Sequence, residues 1–526
     1  MTIYFKLNSK IRRTQLANMF LAIDLGTTNI RSIIFNQRGD ILSEAHRAIT
    51  TLKPQPEVAE QNPETVWRLT IETMREAVKS LPCSPEEIER ISFSARMHGI
   101  MMINREGTPI TPLLTWMDRR AMDEAENVRN LIDPYELYTR TGCPVLYIYP
   151  FVKMLWINKH WPHRLQKCYK ILSAKDYVLY KMTSQTVIDR SLASGTQLLN
   201  INTLKWDDLL LNMVNITQDE LPSLVHETDI IGEVSDDLAQ ATGLRKGVSV
   251  IPGASDGALN NIGLGATIEG VAAMNLGTSG ALRILSDKPF IDMHRQGHFF
   301  CYYAALGKWL PGGAISNAGI LLRWFRDTFG HQEVEEARKR RLDPYEVISE
   351  KAKATEMNRN KLLMLPFFSG ERFPIHDPLA RGVLFGLTLK HTKAHIARAI
   401  YESVIFTLRW IMESLEEHDV RIREVRIGGG GARSRFWRQI QSNVLGKPIV
   451  LTRQVESSAL GAAMLAAIST RTYKDLSEAT ENMVTTVDSQ EPNVQIHEQY
   501  GKYFELYKEL YYLSKDIYEQ LNKIEG

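Results

Sequence analysis

Cysteine is scarce in this chain of 526 residues: there are four, Cys83, Cys143, Cys168 and Cys301, with no Cys-x-x-Cys spacing among them. That scarcity excludes a disulfide-stapled scaffold and a cysteine-ligated zinc module, and it points to a reducing, cytoplasmic setting. No run of eighteen apolar residues exists, so no segment reads as a membrane-spanning helix. Neither sign of charge is in excess, since 63 Lys and Arg against 61 Asp and Glu leave a formal net charge of +2. Nucleic acid and anionic membrane are therefore not expected partners, whereas small anions, which need only local positive groups, remain so. Low-complexity linkers are missing, and so are the G-x-G-x-x-G dinucleotide fingerprint and the Gly-Lys-Ser/Thr of a P-loop.

What is present is a globular composition, 44% hydrophobic and 24% charged, on a chain too long for one ordinary core, so two or more domains are expected. The most informative stretch is Asp24-Leu25-Gly26-Thr27-Thr28-Asn29-Ile30-Arg31, which leaves the apolar run Phe20 to Ile23. Met274-Asn275-Leu276 leads into Gly277-Thr278-Ser279-Gly280 and repeats that grammar halfway down the chain. Each reads as strand, tight turn, strand. The first half continues with a hairpin at Arg38-Gly39-Asp40, a helix capped by Asn62 with Pro63 at its first position and Trp67, Ile71, Met74 and Val78 on one face, and a strand from Ile88 to Ser94. The second half predicts strands at Ala281 to Leu285 and around Phe299 to Tyr303, helices at Ala314 to Phe329 and Thr392 to Glu413, and a strand, Val425 to Ile427, opening onto Gly428 to Gly431. A closing helix carries an apolar stripe of Tyr503, Tyr507, Leu510, Ile517, Leu521 and Ile524. The expected organisation is an extension over residues 1–18, a first α/β domain over 19–262 and a second over 263–526.

Phosphates bind where backbone N–H groups converge and side chains add hydroxyls or positive charge. Gly26 permits the tight turn, Thr27, Thr28 and Asn29 offer donors, and Arg31 is placed to neutralise a transferred group. Gly277 and Thr278 repeat the arrangement, so one ATP held between two related domains is the expected ligand. Asp24 at a strand end beside phosphates calls for a cation, and Mg2+ suits it. The glycine run allows backbone to approach adenine or ribose closely. In Gly253-Ala254-Ser255-Asp256-Gly257 a carboxylate stands at another strand end, where a kinase needs a base to accept a hydroxyl proton. Trp116, Asp118 and the arginines after it supply what a polyhydroxyl substrate wants, and His98, beside Met97, can exchange a hydrogen bond with a hydroxyl.

With these residues in hand, the chain from about Met19 to Thr470 resembles the FGGY carbohydrate kinases of the actin-like ATPase superfamily. Its first phosphate motif is similar to residues 24–31, its second to 277–280, its adenosine motif to Gly428 through Trp437, and its C-terminal signature to Ser369 through Thr388 with Ser457 through Ala463. The resemblance implies two ribonuclease H-like α/β domains around an interdomain active-site cleft, the first binding sugar and phosphate and the second nucleotide. It implies Asp256 as general base and, with Asp24, as metal ligand. Substrate contacts map onto Met97, His98, Trp116, Asp118 and Asp256. Nucleotide contacts map onto Thr27, Thr28, Asn29, Arg31, Gly277, Thr278, Gly319, Arg323, Gly430, Gly431, Ala432 and Arg435. The partner implied is a small sugar or sugar acid, and homo-oligomers are common among such enzymes. Glu60 to Pro63, Val187 to Ser194 and Leu321 to Asp327 look most like gluconate kinases of the family, while Met97-His98-Gly99 and the Trp116 segment are shared with xylulose kinases. Arg96 departs from the small or amide side chain more usual there and suits a carboxylate-bearing sugar. The alternatives are a pentulose kinase and a non-catalytic actin-like nucleotide-binding protein.

Overall fold

The computed structural model of the protein describes residues 18–355 and 361–524. Of the expected N-terminal extension only Asn18 is among them.

Strand β1 (Met19–Leu25) is buried throughout, as its unbroken apolar run requires, and turns through Gly26 to Thr28 into β2 (Asn29–Phe35). Gly39, at φ 73°, closes the next turn into β3 (Ile41–Ala48). Helix α1 (Pro63–Lys79) begins where Asn62 caps the backbone N–H groups of Glu64 and Thr65. Its buried face runs through Val66, Leu69, Thr70, Thr73, Met74 and Ala77, leaving Trp67 and Ile71 at a half-buried margin. Two threonines serve as core residues because their hydroxyls are satisfied locally, Thr70 by the Val66 carbonyl and Thr73 by Ser32 Oγ. There follow β4 (Ile88–Ala95), α2 (Pro150–His160), α3 (Ala174–Thr183), α4 (Arg190–Ser194), β5 (Gly232–Glu233), β6 (Ser249–Val250), β7 (Ala254–Ser255) and α5 (Asp256–Gly263). The sheet order is β5-β6-β4-β1-β2-β3, with β7 beside β4.

The second lobe repeats this plan. It comprises β8 (Val271–Leu276), β9 (Gly280–Ile284), β10 (Phe300–Ala305), β11 (Lys308–Ile315), α6 (Gly319–Phe329), α7 (Pro344–Lys353), α8 (Lys393–Glu416), β12 (Glu424–Gly428), α9 (Arg435–Leu445), β13 (Ile449–Thr452), α10 (Ser457–Ser469), β14 (Thr486–Gln490) and α11 (Val494–Lys523). Its sheet runs β10-β11-β9-β8-β12-β13-β14. In each lobe the first two strands pair antiparallel, while the first pairs parallel with the strand that follows the helical crossing. Both central strands end in the same local pattern, with Asn275 in the second lobe standing where Asp24 stands in the first.

The sequence expectation differs from the structure at two further places. Strand β11 was not anticipated, and Ala314 and Ile315 belong to it, so the helix expected from Ala314 begins at Gly319. Within this strand Gly312 and Gly313 let the Leu282 backbone and the Ile411 side chain of α8 come close. The closing helix α11 buries Tyr500, Phe504, Tyr507, Tyr511 and Tyr518, while Ile517, Leu521 and Ile524 are exposed. Two helical helix faces of this segment are apolar, and the aromatic one meets the body. The helix capped by Thr392 is α8, with His395 Nδ1 accepting from the Thr392 N–H.

Between the lobes α5 and α10 share one core, Ala258, Leu259 and Ile262 meeting Ala459, Ala462, Ala463 and Ala466 above Phe20 and Phe35 of the first sheet. The helices approach closely because Gly461 faces the Leu259 backbone and Gly263 faces the Ser457 backbone. A methyl group at either position would fall inside contact distance of main chain. Gly461→Ala is expected to cost about 1–3 kcal/mol, read as a lowered denaturation midpoint; a wild-type midpoint would contradict this packing.

Candidate active site

Two cavities meet at the turn after β8. Gly277 and Thr278 line the larger, of about 700 Å³, and the next residues, Ser279 and Gly280, line the smaller, of about 270 Å³. The larger suits a nucleotide and the smaller a small polyol.

The larger cavity gathers Gly277, Thr278, Gly319, Arg323, Gly430, Gly431 and Arg435, as the sequence suggested. Ala432 is buried beneath the glycine turn and does not line it. The sequence reading missed α7, which contributes Tyr345 and Ser349, and also Phe436. The signal for α7 was present: Asp343 caps the Tyr345 N–H at 2.9 Å, with Pro344 at the first helical position. Gly319 can start α6 against the phosphate turn because it has no side chain, its N–H donating to the Gly277 carbonyl at 2.9 Å.

The smaller cavity holds Thr27, Met97, His98, Trp116 and Asp256 from the first lobe. Asp256 opens α5; Ser255, not Asp256, caps that helix, accepting from the Ala258 N–H, so the carboxylate is free of the capping task. Burial raises the Asp256 pKa, an effect opposed by Arg283. Asp24 is raised to about 6 by burial, against a 2.8 Å hydrogen bond from Ser94 Oγ, with further upward pressure from the Asp256 charge. His98 sits at φ 67°, a left-handed conformation that costs a non-glycine residue about 1 kcal/mol or more. It is held there by Lys153, whose Nζ donates to the His98 and Thr115 carbonyls, each at 2.7 Å. The His98 Nδ1–H donates to the Gly195 carbonyl at 2.8 Å, and burial lowers the ring pKa to about 3. A neutral imidazole so oriented keeps Nε2 as an acceptor. Trp116 Nε1 donates to Thr27 Oγ1 at 3.0 Å, tying the substrate wall to the first phosphate turn.

Other expected contacts are placed differently. Asp118 is 1% exposed and outside the cavity: it receives the Ala59 N–H at 2.9 Å and pairs with Arg120 at 2.8 Å, so it supports the Trp116 segment from behind. Thr28, Asn29 and Arg31 line neither cavity. Arg31 is shared between Asp24 at 3.5 Å and Glu456, at the start of α10, at 3.3 Å. Arg96 does line the substrate cavity, yet its guanidinium is committed to the Leu25 and Gly26 carbonyls and to Gln61 Oε1. It braces the phosphate turn, which removes the carboxylate role expected of it. Gln61 completes that brace by donating to the Thr27 carbonyl at 2.9 Å. Residues not anticipated at this site are Arg283, Tyr302, Arg372 and Phe373, all from the second lobe.

Two related α/β lobes, a glycine-lined nucleotide-sized cavity and a smaller polar cavity beyond a shared turn define a phosphotransferase of the actin-like ATPase class. The sequence patterns of the FGGY family of carbohydrate kinases match here, the N-terminal domain over residues 19–263 and the C-terminal domain over 272–470. The chain belongs to this family and is an enzyme that phosphorylates a sugar hydroxyl. It is 34% identical to a gluconokinase of Bacillus subtilis (strain 168) over 507 residues, 96% of this chain and 98% of that one. Its fold is similar to a gluconate kinase from Lactobacillus acidophilus, with a TM-score of 0.89, 28% identity and coverage of 96% and 99%. A ligand-bound xylulose kinase from the same organism superposes with a TM-score of 0.90, also 28% identical, covering 96% and 100%. Membership of this family sets aside the non-catalytic actin-like alternative.

Proposed function

We propose that this chain is an ATP-dependent gluconate kinase, transferring the γ-phosphoryl group of ATP to the terminal hydroxyl of D-gluconate to give 6-phospho-D-gluconate. The observation that carries the reading is the division of labour at one turn: Gly277 and Thr278 face the nucleotide cavity, and Ser279 and Gly280 face a substrate cavity holding Asp256. A phosphoryl group crossing that turn meets an alcohol beside a buried carboxylate. Asp256 accepts the hydroxyl proton as the O–P bond forms; the ADP oxygen leaves with the electrons of the broken bond. Thr27 and Thr278 donate to phosphate oxygens, and enclosure between the lobes excludes water that would otherwise be phosphorylated instead. His98 accepts from a sugar hydroxyl through Nε2.

Mg2+ fits the residues present. Asp24 and Asp256 are buried carboxylates close enough for one charge to raise the pKa of the other. No group of three acidic, His or Cys side chains able to hold a metal occurs among the described residues, in keeping with an ion that takes one or two carboxylates and completes its shell with phosphates and water. Bound there, it would neutralise phosphate charge.

A sugar acid is favoured over a ketose because two guanidiniums not spent on the first phosphate turn, of Arg283 and Arg372, border the substrate cavity against the single carboxylate of Asp256. The likeness to xylulose kinases supports a pentulose as the second reading. The product decides between them: a phosphomonoester on the terminal carbon of gluconate, identified by 31P NMR, is expected, and phosphorylation of a ketose alone would overturn the assignment.

The pH profile follows from the carboxylates. Asp256 must be ionised to accept a proton and Asp24 to hold a cation, and burial raises both above the ordinary 3.8, Asp24 to about 6. Acid protonates them, so kcat/KM is expected to rise with pH along a limb near 6. A profile level down to the ordinary carboxylate range would contradict the burial of these groups.

A further inference from the structure

Four guanidiniums surround the substrate wall, and two are already committed. Arg120 pairs with Glu60 at 2.6 Å and with Asp118 at 2.8 Å, and Arg96 is bound to carbonyls of the first phosphate turn. Arg283 and Arg372 are not committed in this way. Among the described residues neither has an Asp or Glu within ion-pairing distance, although both border the cavity.

Their positions are fixed by the fold. Arg283 projects from β9 and lays its guanidinium on the start of α5, where a Cβ added at Gly257 would meet Nε at 3.2 Å and Cζ at 3.3 Å. Gly257 is the space that lets the arginine lie beside Asp256. Arg372 stacks over the Trp116 ring at 5.3 Å; its Nε donates to Ser316 Oγ and its Nη2 to the Ile315 carbonyl, both at 3.2 Å. These contacts orient the guanidinium plane and leave Nη1 with no partner among the described residues. Glu371, the neighbour of Arg372, receives the Ser316 N–H and Asn317 Nδ2, which locks the strap carrying Arg372 to the end of β11. Tyr302, its hydroxyl 2.9 Å from that of Tyr149, lies within the field of both arginines. Burial lowers the Arg283 pKa; the Asp256 charge and Tyr302 oppose that shift, and the Arg372 charge adds to it. Two half-buried guanidiniums that border one cavity, one of them with Nη1 left over, offer an anion a place to bind.

We infer that Arg283 and Arg372 together receive the carboxylate of the sugar-acid substrate and are the residues that make this kinase prefer an acid to a neutral sugar. The inference rests on the gluconate reading above and names the part of the site responsible for it. The nucleotide phosphates are a poorer claimant. Both arginines face the smaller cavity, with His98, Tyr302 and Phe373, whereas the nucleotide cavity has Arg323 and Arg435 of its own. A carboxylate takes paired, charge-assisted hydrogen bonds from guanidinium groups. A neutral sugar offers these guanidiniums no charge-assisted partner, and that difference in binding is the discrimination. Because both arginines come from the second lobe and His98 and Asp256 from the first, a bound sugar acid also spans the lobes.

The test compares D-gluconate with D-glucitol, which carries a hydroxymethyl group where gluconate has its carboxylate. Wild-type enzyme, Arg283→Met, Arg372→Met and the charge-retaining Arg283→Lys and Arg372→Lys are assayed for ADP release, with thermal unfolding to establish that each is folded. The methionine variants are expected to raise the KM for gluconate about 10²-fold while the KM for glucitol changes little; because Arg283 also opposes the raised Asp256 pKa, Arg283→Met is expected to lower kcat for both substrates alike, so the comparison is read in KM. The lysine variants are expected to recover part of the loss, and they carry the comparison if a methionine variant does not fold. Folded variants that keep the wild-type KM for gluconate, or raise the KM for gluconate and glucitol equally, would overturn the inference while leaving the gluconate reading intact. Wild-type enzyme inert towards gluconate but active on a ketose would overturn both.

Discussion

Asp256→Asn is expected to lower sugar phosphorylation by about 10²–10⁴-fold while ATP still binds. The amide has the shape of the carboxylate but cannot take the hydroxyl proton. The local backbone does not depend on the charge. Ser255 caps α5, and the bond from Ser458 Oγ goes to the Asp256 backbone carbonyl at 3.3 Å. The nucleotide cavity does not include residue 256, so calorimetric titration with ATP separates loss of the base from loss of the ligand. Burial raises the pKa of this aspartate, which means that its ionised form costs the fold stability at neutral pH. The amide is therefore expected to hold or raise Tm, the usual trade between a strained active site and stability. Turnover within tenfold of wild type would remove Asp256 as the base.

The second large effect concerns the support behind that base. Lys175 Nζ lies 2.6 Å from Asp189 Oδ2, both side chains fully buried. The other Asp189 oxygen accepts from the Leu192 N–H at 2.9 Å and caps α4. Ser191 in α4 bonds Ser255 Oγ at 2.9 Å, and Ser255 leads directly into Asp256. Lys175→Met leaves Asp189 as an uncompensated charge in the interior and is expected to cost about 3–5 kcal/mol. Denaturant unfolding measures it. Replacing Asp189 by Asn in the same chain keeps a capping oxygen, removes the orphaned charge, and is expected to recover part of the loss. Unchanged stability in the single variant would show that the pair carries no such load.

The phosphate turns were legible because their signals are local: a buried strand, a glycine, hydroxyl residues, and the same order again in the second half. The position of Asp256, at a strand end between two glycines, was legible for the same reason. Helix starts with a capping residue, at Asn62 and Thr392, were likewise readable. Arg283 and Arg372 were not, because their meaning depends on what faces them across the cleft, and Trp116 and Gly257 are far away in sequence. Arg96 was noticed as unusual and given the wrong task; only the structure shows its donors spent on the carbonyls after β1. Asp118 was read as a wall residue because a short motif cannot say which of its side chains point inward. The same limit applies to α11, where two stripes have helical spacing and tertiary contact selects the aromatic one.

The most direct test of the account is a coupled ADP-release assay on the full chain with gluconate, xylulose, ribulose, glycerol and erythritol at equal concentrations. The kcat/KM for gluconate is expected to exceed the others by at least about 10²-fold. Turnover on a ketose with none on gluconate would contradict it.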